Sequence, residues 1–245
     1  MKIALVGYGK MGQKIAAIAA ERGHEIVAIV DPAHSLQTIA DFPRAEVSVA
    51  IQFSTPEVCI GNIQKIIDLG IPLVEGTTGW QNSLHQITQL VTQKKGSLVW
   101  ASNFSVGALL FRHTIRHLAQ LMAKQPQYDC FIEERHHRHK LDGPSGTGQT
   151  IAQDLLDILP QKSSLSGNSI LANRAPMDTE LSISFTRAGE IPGTHIVGFT
   201  SEIDTIEIRH DAHNRNGFAL GSVLAAEKII SQEGIFTFEE LLLRS

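Results

Sequence analysis

The chain has little cysteine. Cys59 and Cys130 lie far apart in 245 residues. Two such cysteines exclude a disulfide scaffold and match no metal or redox spacing. They read as small core residues of a reducing compartment. No apolar run is long enough to span a bilayer, so no membrane partner is expected. Charge of one sign is not in excess either: 21 Lys and Arg stand against 25 Asp and Glu, for a net charge of −4. That balance argues against a general binder of nucleic acid or of anionic membranes. Internal repeats and low-complexity stretches are absent. The first strand-like run begins at Lys2, so no secretory leader is expected and a cytoplasmic location follows. A hydrophobic content of 42% and a charged content of 19% are those of an ordinary soluble enzyme.

What is present begins with alternation. Residues 2–6, 25–30, 47–53, 71–75 and 97–101 are short, apolar and rich in β-branched residues, as buried parallel strands are. Helical spacing lies between them at 11–22, 57–69 and 84–92, with Gly23 and Gly70 placed to end the first two. This βαβ order predicts a Rossmann-like, doubly wound parallel sheet. The pattern changes after residue 105. A long helix is expected at 106–122, with Leu109, Leu110, Ile115, Leu118 and Leu121 on one face. A strand at 128–133 and a helix at 147–159 follow. Residues 179–187 and 205–210 alternate apolar and polar side chains, which predicts antiparallel strands with one wet face. Residues 160–173 read as a mobile loop, and 218–230 and 236–243 as closing helices. The expectation is two domains, one from 1–104 and 216–245 built on the parallel sheet, and a separate α+β one from 105–215.

Gly7, Gly9 and Gly12 form a GxGxxG between the first strand and the first helix. The first glycine permits the tight turn, the second lets backbone approach a pyrophosphate, and the third lets helix and strand pack closely. The helix N-terminus offers free N–H groups to phosphate. The second strand ends at Asp31, where a carboxylate can bind both hydroxyls of an adenosine ribose. Gly7, Tyr8, Gly9, Lys10, Met11, Gly12 and Asp31 are therefore candidate cofactor residues. Gly76-Thr77-Thr78-Gly79 and Ala101-Ser102-Asn103-Phe104 end the fourth and fifth strands, where ligands of such sheets bind. They could meet nicotinamide and ribose, or serve as ordinary βα loops.

The densest chemistry is in Glu134-Arg135-His136-His137-Arg138-His139-Lys140-Leu141-Asp142-Gly143-Pro144-Ser145-Gly146-Thr147. Arginine and lysine are charged near neutral pH and histidine is tunable. If the preceding strand continues, His137 and His139 face one way and His136 and Arg138 the other. Ser145 can cap the next helix, leaving the N–H groups of Gly146 and Thr147 for an anion. A solvated basic surface, a phosphate patch and a metal site compete with this reading. The adjoining Pro-Ser-Gly-Thr turn raises proton donation to a small dianion above all three.

These residues resemble the 4-hydroxy-tetrahydrodipicolinate (dihydrodipicolinate) reductase family over essentially the whole chain. The run from Glu134 to Thr147 is very like that family's E-x-H-H-x-x-K-x-D-x-P-S-G-T. Gly76–Gly79, Asn103-Phe104-Ser105-Val106-Gly107, Arg187-Ala188-Gly189-Glu190-Ile191 and Gly193-Thr194-His195 also match. The resemblance implies reduction of a cyclic imine dicarboxylate by NADH or NADPH, with loss of the 4-hydroxyl as water, in lysine and diaminopimelate biosynthesis. It implies His136 and Lys140 as proton donors. His137, Gly146 and Thr147 would hold substrate, and Gly7 to Gly12, Asp31, Gly76, Thr77, Thr78 and Ala101 to Phe104 would hold coenzyme. It also implies a homotetramer built through sheets of the second domain. No metal is expected, because the basic run lacks obvious partner spacing. Gly143 stands where the family usually has alanine, and Pro32 where many members carry arginine for a 2′-phosphate. Another two-domain dehydrogenase and a non-catalytic nucleotide sensor are the alternatives.

Overall fold

The computed structural model describes residues 1–33, 38–42, 46–167 and 175–243. The chain runs β1 (Lys2–Val6), α1 (Lys10–Glu21), β2 (Glu25–Val30), β3 (Val49–Gln52), α2 (Pro56–Asp68), β4 (Leu73–Glu75), α3 (Leu84–Lys94), β5 (Ser97–Trp100) and α4 (Val106–Met122). It continues through β6 (Asp129–His136), α5 (Gly146–Ile158), β7 (Ser164–Gly167), β8 (Glu180–Arg187), β9 (Thr194–Thr200), β10 (Thr205–Asp211), α6 (Asn216–Ile229), β11 (Gly234–Thr237) and α7 (Phe238–Leu243). Contacts divide it into two compact units, Met1–Val106 with Arg215–Ser245, and Gly107–Asn214.

The first unit is a parallel sheet in the order β11-β5-β4-β3-β1-β2. Ile3 to Val6 and all of β3 and β4 are buried, which is why these strands read as unbroken apolar runs. Gly12, Ile15 and Ala19 of α1 and Cys59, Ile63, Ile66 and Ile67 of α2 are the residues that those helices bury. Each such isoleucine contributes about 1.5–3 kcal/mol of hydrophobic stabilisation. Gly23 follows α1 at φ +77°, the left-handed geometry of a helix stop. Residues 236–243, expected as one helix, divide instead. Phe236 and Thr237 belong to β11, which pairs with β5, and only Phe238–Leu243 is helical.

The second unit is a five-stranded sheet in the order β10-β9-β6-β8-β7. Here several expectations are corrected. The run at 179–187 forms β8, which is parallel to both β6 and β7 rather than antiparallel. Alternation reports which face is wet, not strand direction, and α5 supplies the crossover that a parallel pair needs. The run at 205–210 forms β10, which is antiparallel to β9. Strand β9 escapes sequence reading because it lies between β10 and β6 and is buried from Thr194 to Phe199, which leaves no alternation to detect. Part of the expected loop at 160–173 is strand β7, and residues 168–173 lie outside the described ones. Helix α4 buries Phe111, Ile115, Ala119 and Met122, whereas Leu110 and Leu121 of the expected face are about half exposed.

Candidate functional site

In the first unit, parallel register lines up Val6, Gln52, Glu75 and Trp100 in one row. The next residue of each strand, namely Gly7, Phe53, Gly76 and Ala101, therefore forms the carboxyl edge of the sheet. Gly7 sits at φ +92°, and a Cβ there would collide with the Phe53 carbonyl. A Cβ on Gly12 would collide with the Gly7 carbonyl, so the glycine loop and α1 touch backbone to backbone. Gly9 has no atom within 4 Å of a Cβ position, leaving its backbone open. The first N–H groups of α1 have no intrahelical acceptor. These features fit a pyrophosphate.

Asp31 holds this loop from the side. Its Oδ2 accepts from the Tyr8 N–H at 2.8 Å and its Oδ1 from the Ala33 N–H at 3.0 Å. Thr78 and Ser102 are exposed, as is Lys10, while Met11, Gly76, Ala101 and Asn103 are half-buried. Asn103 Oδ1 accepts from the Ser105 N–H, closing a turn. Phe104 differs: its ring is buried between Phe53 and Phe238, at 6.0 and 4.9 Å between centroids. Its side chain belongs to the core.

Sequence reasoning missed a buried polar group beneath this edge. Glu75 is completely buried. Its Oε2 accepts from Gln52 Nε2 and its Oε1 from the Thr77 N–H, each at 2.6 Å. Burial pushes its carboxyl group up to about 8, against those hydrogen bonds. The run Leu73-Val74-Glu75 carries no signal of this beyond a charged residue in an apolar strand.

In the second unit the centre of the arrangement is Glu134, also missed. Strand alternation turns Ile132, Glu134 and His136 to the buried face. Register then sets Glu134 against His195 of β9 and His136 against Arg187 of β8. The Glu134 carboxylate accepts from the Ser145 N–H at 3.0 Å and from Ser145 Oγ at 2.5 Å. Arg187 Nη2 donates to it at 2.6 Å. His136 Nδ1 and His195 Nε2 each stand 3.7 Å from it, a distance for ion pairing rather than hydrogen bonding. Burial pushes this carboxyl upward, and its imidazole, serine and arginine neighbours outweigh that, holding it well below the usual carboxylate range.

This carboxylate ties three segments together. Ser145, held by Glu134, caps α5 by accepting from the Gly148 N–H at 3.0 Å. The N–H groups of Gly146 and Thr147 open that helix without an intrahelical acceptor. Arg187 also donates to the Asp142 carbonyl at 2.5 Å and stacks on Phe185, so the loop after β6 is drawn to β8. In that loop Lys140 Nζ pairs with Asp142 at 2.8 Å. His136 ends β6 as a buried ring, edge-on to His195 at 5.2 Å, and its Nε2 faces Gly193. The strand stops there. His137 is half-buried and His139 exposed, 6.2 Å apart between ring centroids. Glu134, His136 and His195 offer atoms within 4.8 Å of one another, as a metal site would. Arg187 already supplies a permanent cation to the same carboxylate.

A family model for the N-terminal part of dihydrodipicolinate reductase matches residues 1–104, and one for its C-terminal part matches residues 107–242. The chain is 41% identical over 242 residues to 4-hydroxy-tetrahydrodipicolinate reductase of Christiangramia forsetii, covering 99% of this chain and 98% of that one. It is 32% identical over 251 residues to the enzyme of the same name from Staphylococcus aureus strain Newman, covering 98% and 100%. A solved structure, dipicolinate-bound dihydrodipicolinate reductase from Paenisporosarcina sp. TG-14, matches 99% of both chains with a TM-score of 0.76 at 26% identity. The chain belongs to the dihydrodipicolinate reductase family, the NAD(P)H-dependent oxidoreductases of lysine and diaminopimelate biosynthesis.

Proposed function

We propose that the two units divide the reduction between them: the first holds coenzyme and the second holds and protonates a planar dicarboxylate. One observation carries this division. Glu134 joins the capped N-terminus of α5, Arg187 and the edge of His136 in a single buried cluster. An anion anchor and a proton donor are thereby held in one frame.

NADH or NADPH supplies the hydride when bound. The chain's part is to place the dinucleotide and handle charge. Gly7, Tyr8, Gly9, Lys10, Met11 and Gly12 would face the pyrophosphate, where backbone is open and the helix end is positive. Asp31 would receive the ribose diol, and Gly76, Thr77, Thr78 and the backbone of Ala101 to Phe104 the nicotinamide half. Gly146 and Thr147 would hold a substrate carboxylate, with His137 beside it. Hydride addition to the conjugated ring places negative charge on nitrogen or carbon, which a positioned acid must meet. His136 and Lys140 are assigned that role, while loss of the 4-hydroxyl as water is proton-neutral, the leaving hydroxyl being matched by a proton released from the adjacent ring carbon. The Asp142 pair keeps the Lys140 ammonium in the loop until substrate draws it away.

The dipicolinate in the Paenisporosarcina structure supports the same class of ligand here. The protein would work in the cytoplasm, where its two free, buried cysteines stay reduced. It would assemble as a homotetramer through β10, an edge strand with a largely exposed face. Sedimentation equilibrium at micromolar concentration shows a tetramer on this reading and only monomer against it.

The direct test is a coupled assay on the product of dihydrodipicolinate synthase, following loss of NADH or NADPH absorbance. Turnover, with competition by pyridine-2,6-dicarboxylate, is the expected result. Coenzyme binding without turnover would instead mark a nucleotide sensor, and turnover of a different substrate another dehydrogenase.

A further inference from the structure

The buried carboxyl of Glu75 has no part in the chemistry just described, yet it lies directly under the proposed coenzyme edge. Its oxygens do two separate jobs. One receives the Gln52 amide, whose nitrogen also donates to the Cys59 carbonyl at 3.2 Å, so this side is anchored in β3 and α2. The other receives the N–H of Thr77, two residues along the loop that leaves β4. Thr77 is itself buried, and its Oγ1 accepts from the Ser54 N–H at 3.1 Å. Ser54 opens the loop after β3. A continuous chain of hydrogen bonds thus runs from Gln52 through Glu75 and Thr77 to Ser54, and it sets the backbone of two neighbouring loops.

Close packing joins these loops as well. A Cβ on Gly76 would fall inside the Phe53 ring, and a Cβ on Gly7 would fall on the Phe53 carbonyl. The loops after β1, β3 and β4 are therefore in contact through Phe53. Gly76, next to Thr77, lies against the Phe53 ring, and Gly7 of the glycine turn lies against the Phe53 carbonyl. We propose that Glu75 is a positioning residue for the coenzyme: through Thr77 and Ser54 it fixes the two loops that meet the dinucleotide. The inference rests on the coenzyme reading given above. The neighbours facing Glu75 are Gln52 from β3, Cys59 from α2 and Thr77 from its own loop. Only the Cys59 thiol among them titrates, and burial pushes it up to about 12, so it stays neutral in the working range.

Two variants separate positioning from simple packing. Glu75→Met fills the space and removes the acceptor, leaving the Thr77 N–H buried and unpaired. Its Kd for NADH, read by fluorescence titration, should rise roughly tenfold, about 1.4 kcal/mol, while kcat at saturating coenzyme falls less. Glu75→Gln keeps an acceptor for Thr77 but no longer titrates. Wild-type Kd should rise severalfold as pH goes through about 8, where a buried anion forms under the loop. Glu75→Gln should be flat over that range. If a folded Glu75→Met binds NADH as the wild type does, or if Glu75→Gln shows the wild-type pH profile, the positioning role is wrong. If the wild type binds neither NADH nor NADPH, it is the coenzyme reading that fails instead.

Discussion

Two glutamates, one in each unit, are completely buried in strands and are treated in opposite ways. Glu134 is given a guanidinium, two imidazoles, a hydroxyl and a backbone N–H. Glu75 is given neutral partners, the Gln52 amide and the Thr77 N–H, with the Thr77 hydroxyl and the Cys59 thiol beside them. A buried carboxylate stays ionised only where neighbours replace the water it has lost. Glu134 is therefore held ionised and Glu75 drifts up to about 8. The difference follows the ligands. The unit that would receive a dianion and donate protons keeps a fixed anion to order its cations. The unit that would receive an anionic dinucleotide keeps a neutral acid at neutral pH.

The largest effect is expected at Glu134. Glu134→Ala leaves the half-buried Arg187 without its carboxylate partner and removes the acceptor for Ser145. Loss of one partner from a buried pair costs about 3–5 kcal/mol. Urea denaturation should show a loss of that size at pH 7, and activity should fall with it. A stability within about 0.5 kcal/mol of wild type would mean that the cluster orders nothing.

Acid and alkali act on the two residues in opposite directions. The Glu134 carboxyl lies below its ordinary value of 4.5, so its contribution is fully present above that pH and is lost as pH falls further. The Glu75 carboxyl lies above 4.5, so its contribution is full below that pH and is lost as pH rises towards about 8. Glu75→Gln should remove the second loss. Its stability relative to wild type should grow between pH 5 and pH 9 by a few kcal/mol at most, since a tenfold difference in proton affinity between folded and unfolded chain is worth about 1.4 kcal/mol. Thermal melts in matched buffers measure this, and a constant difference across pH would contradict it.

The smallest expected effect concerns coenzyme choice. Asp31 accepts from the Tyr8 N–H of the glycine loop and from the Ala33 N–H just beyond β2, and Pro32 brings no cation for a 2′-phosphate. NADH should serve at least as well as NADPH. Lys10, exposed at the start of α1, is the counterweight that permits use of both. A preference for NADPH beyond roughly tenfold in kcat/KM, about 1.4 kcal/mol, would contradict this.

How much was legible in the sequence also divides between the units. The parallel sheet announces itself because both of its faces are covered, so β1 to β5 appear as apolar runs punctuated by glycine. The second sheet hides more. His195 and Gly198 interrupt the apolar run of β9, and β8 shows its wet face but not its direction. At the site, the basic run and the Ser145 cap could be seen because they are contiguous. Glu134 could not be ranked above any other charged residue of that run, because its partners Arg187 and His195 are brought to it by strand register. Glu75 gave no signal beyond a charged residue at the end of an apolar strand, since its partners are neutral groups brought to it by the fold.

On the proposed mechanism His136 and Lys140, in the frame ordered by Glu134, would protonate the reduced substrate. Lys140→Ala tests it most directly, by kcat on the dipicolinate precursor together with coenzyme affinity measured on the same folded protein. Proton transfer by a positioned side chain contributes about 10²–10⁴ in rate. The account predicts a fall in kcat of that order with coenzyme Kd unchanged, whereas a change at Thr147 should raise KM instead. A Lys140→Ala enzyme with near-normal kcat would contradict the assignment.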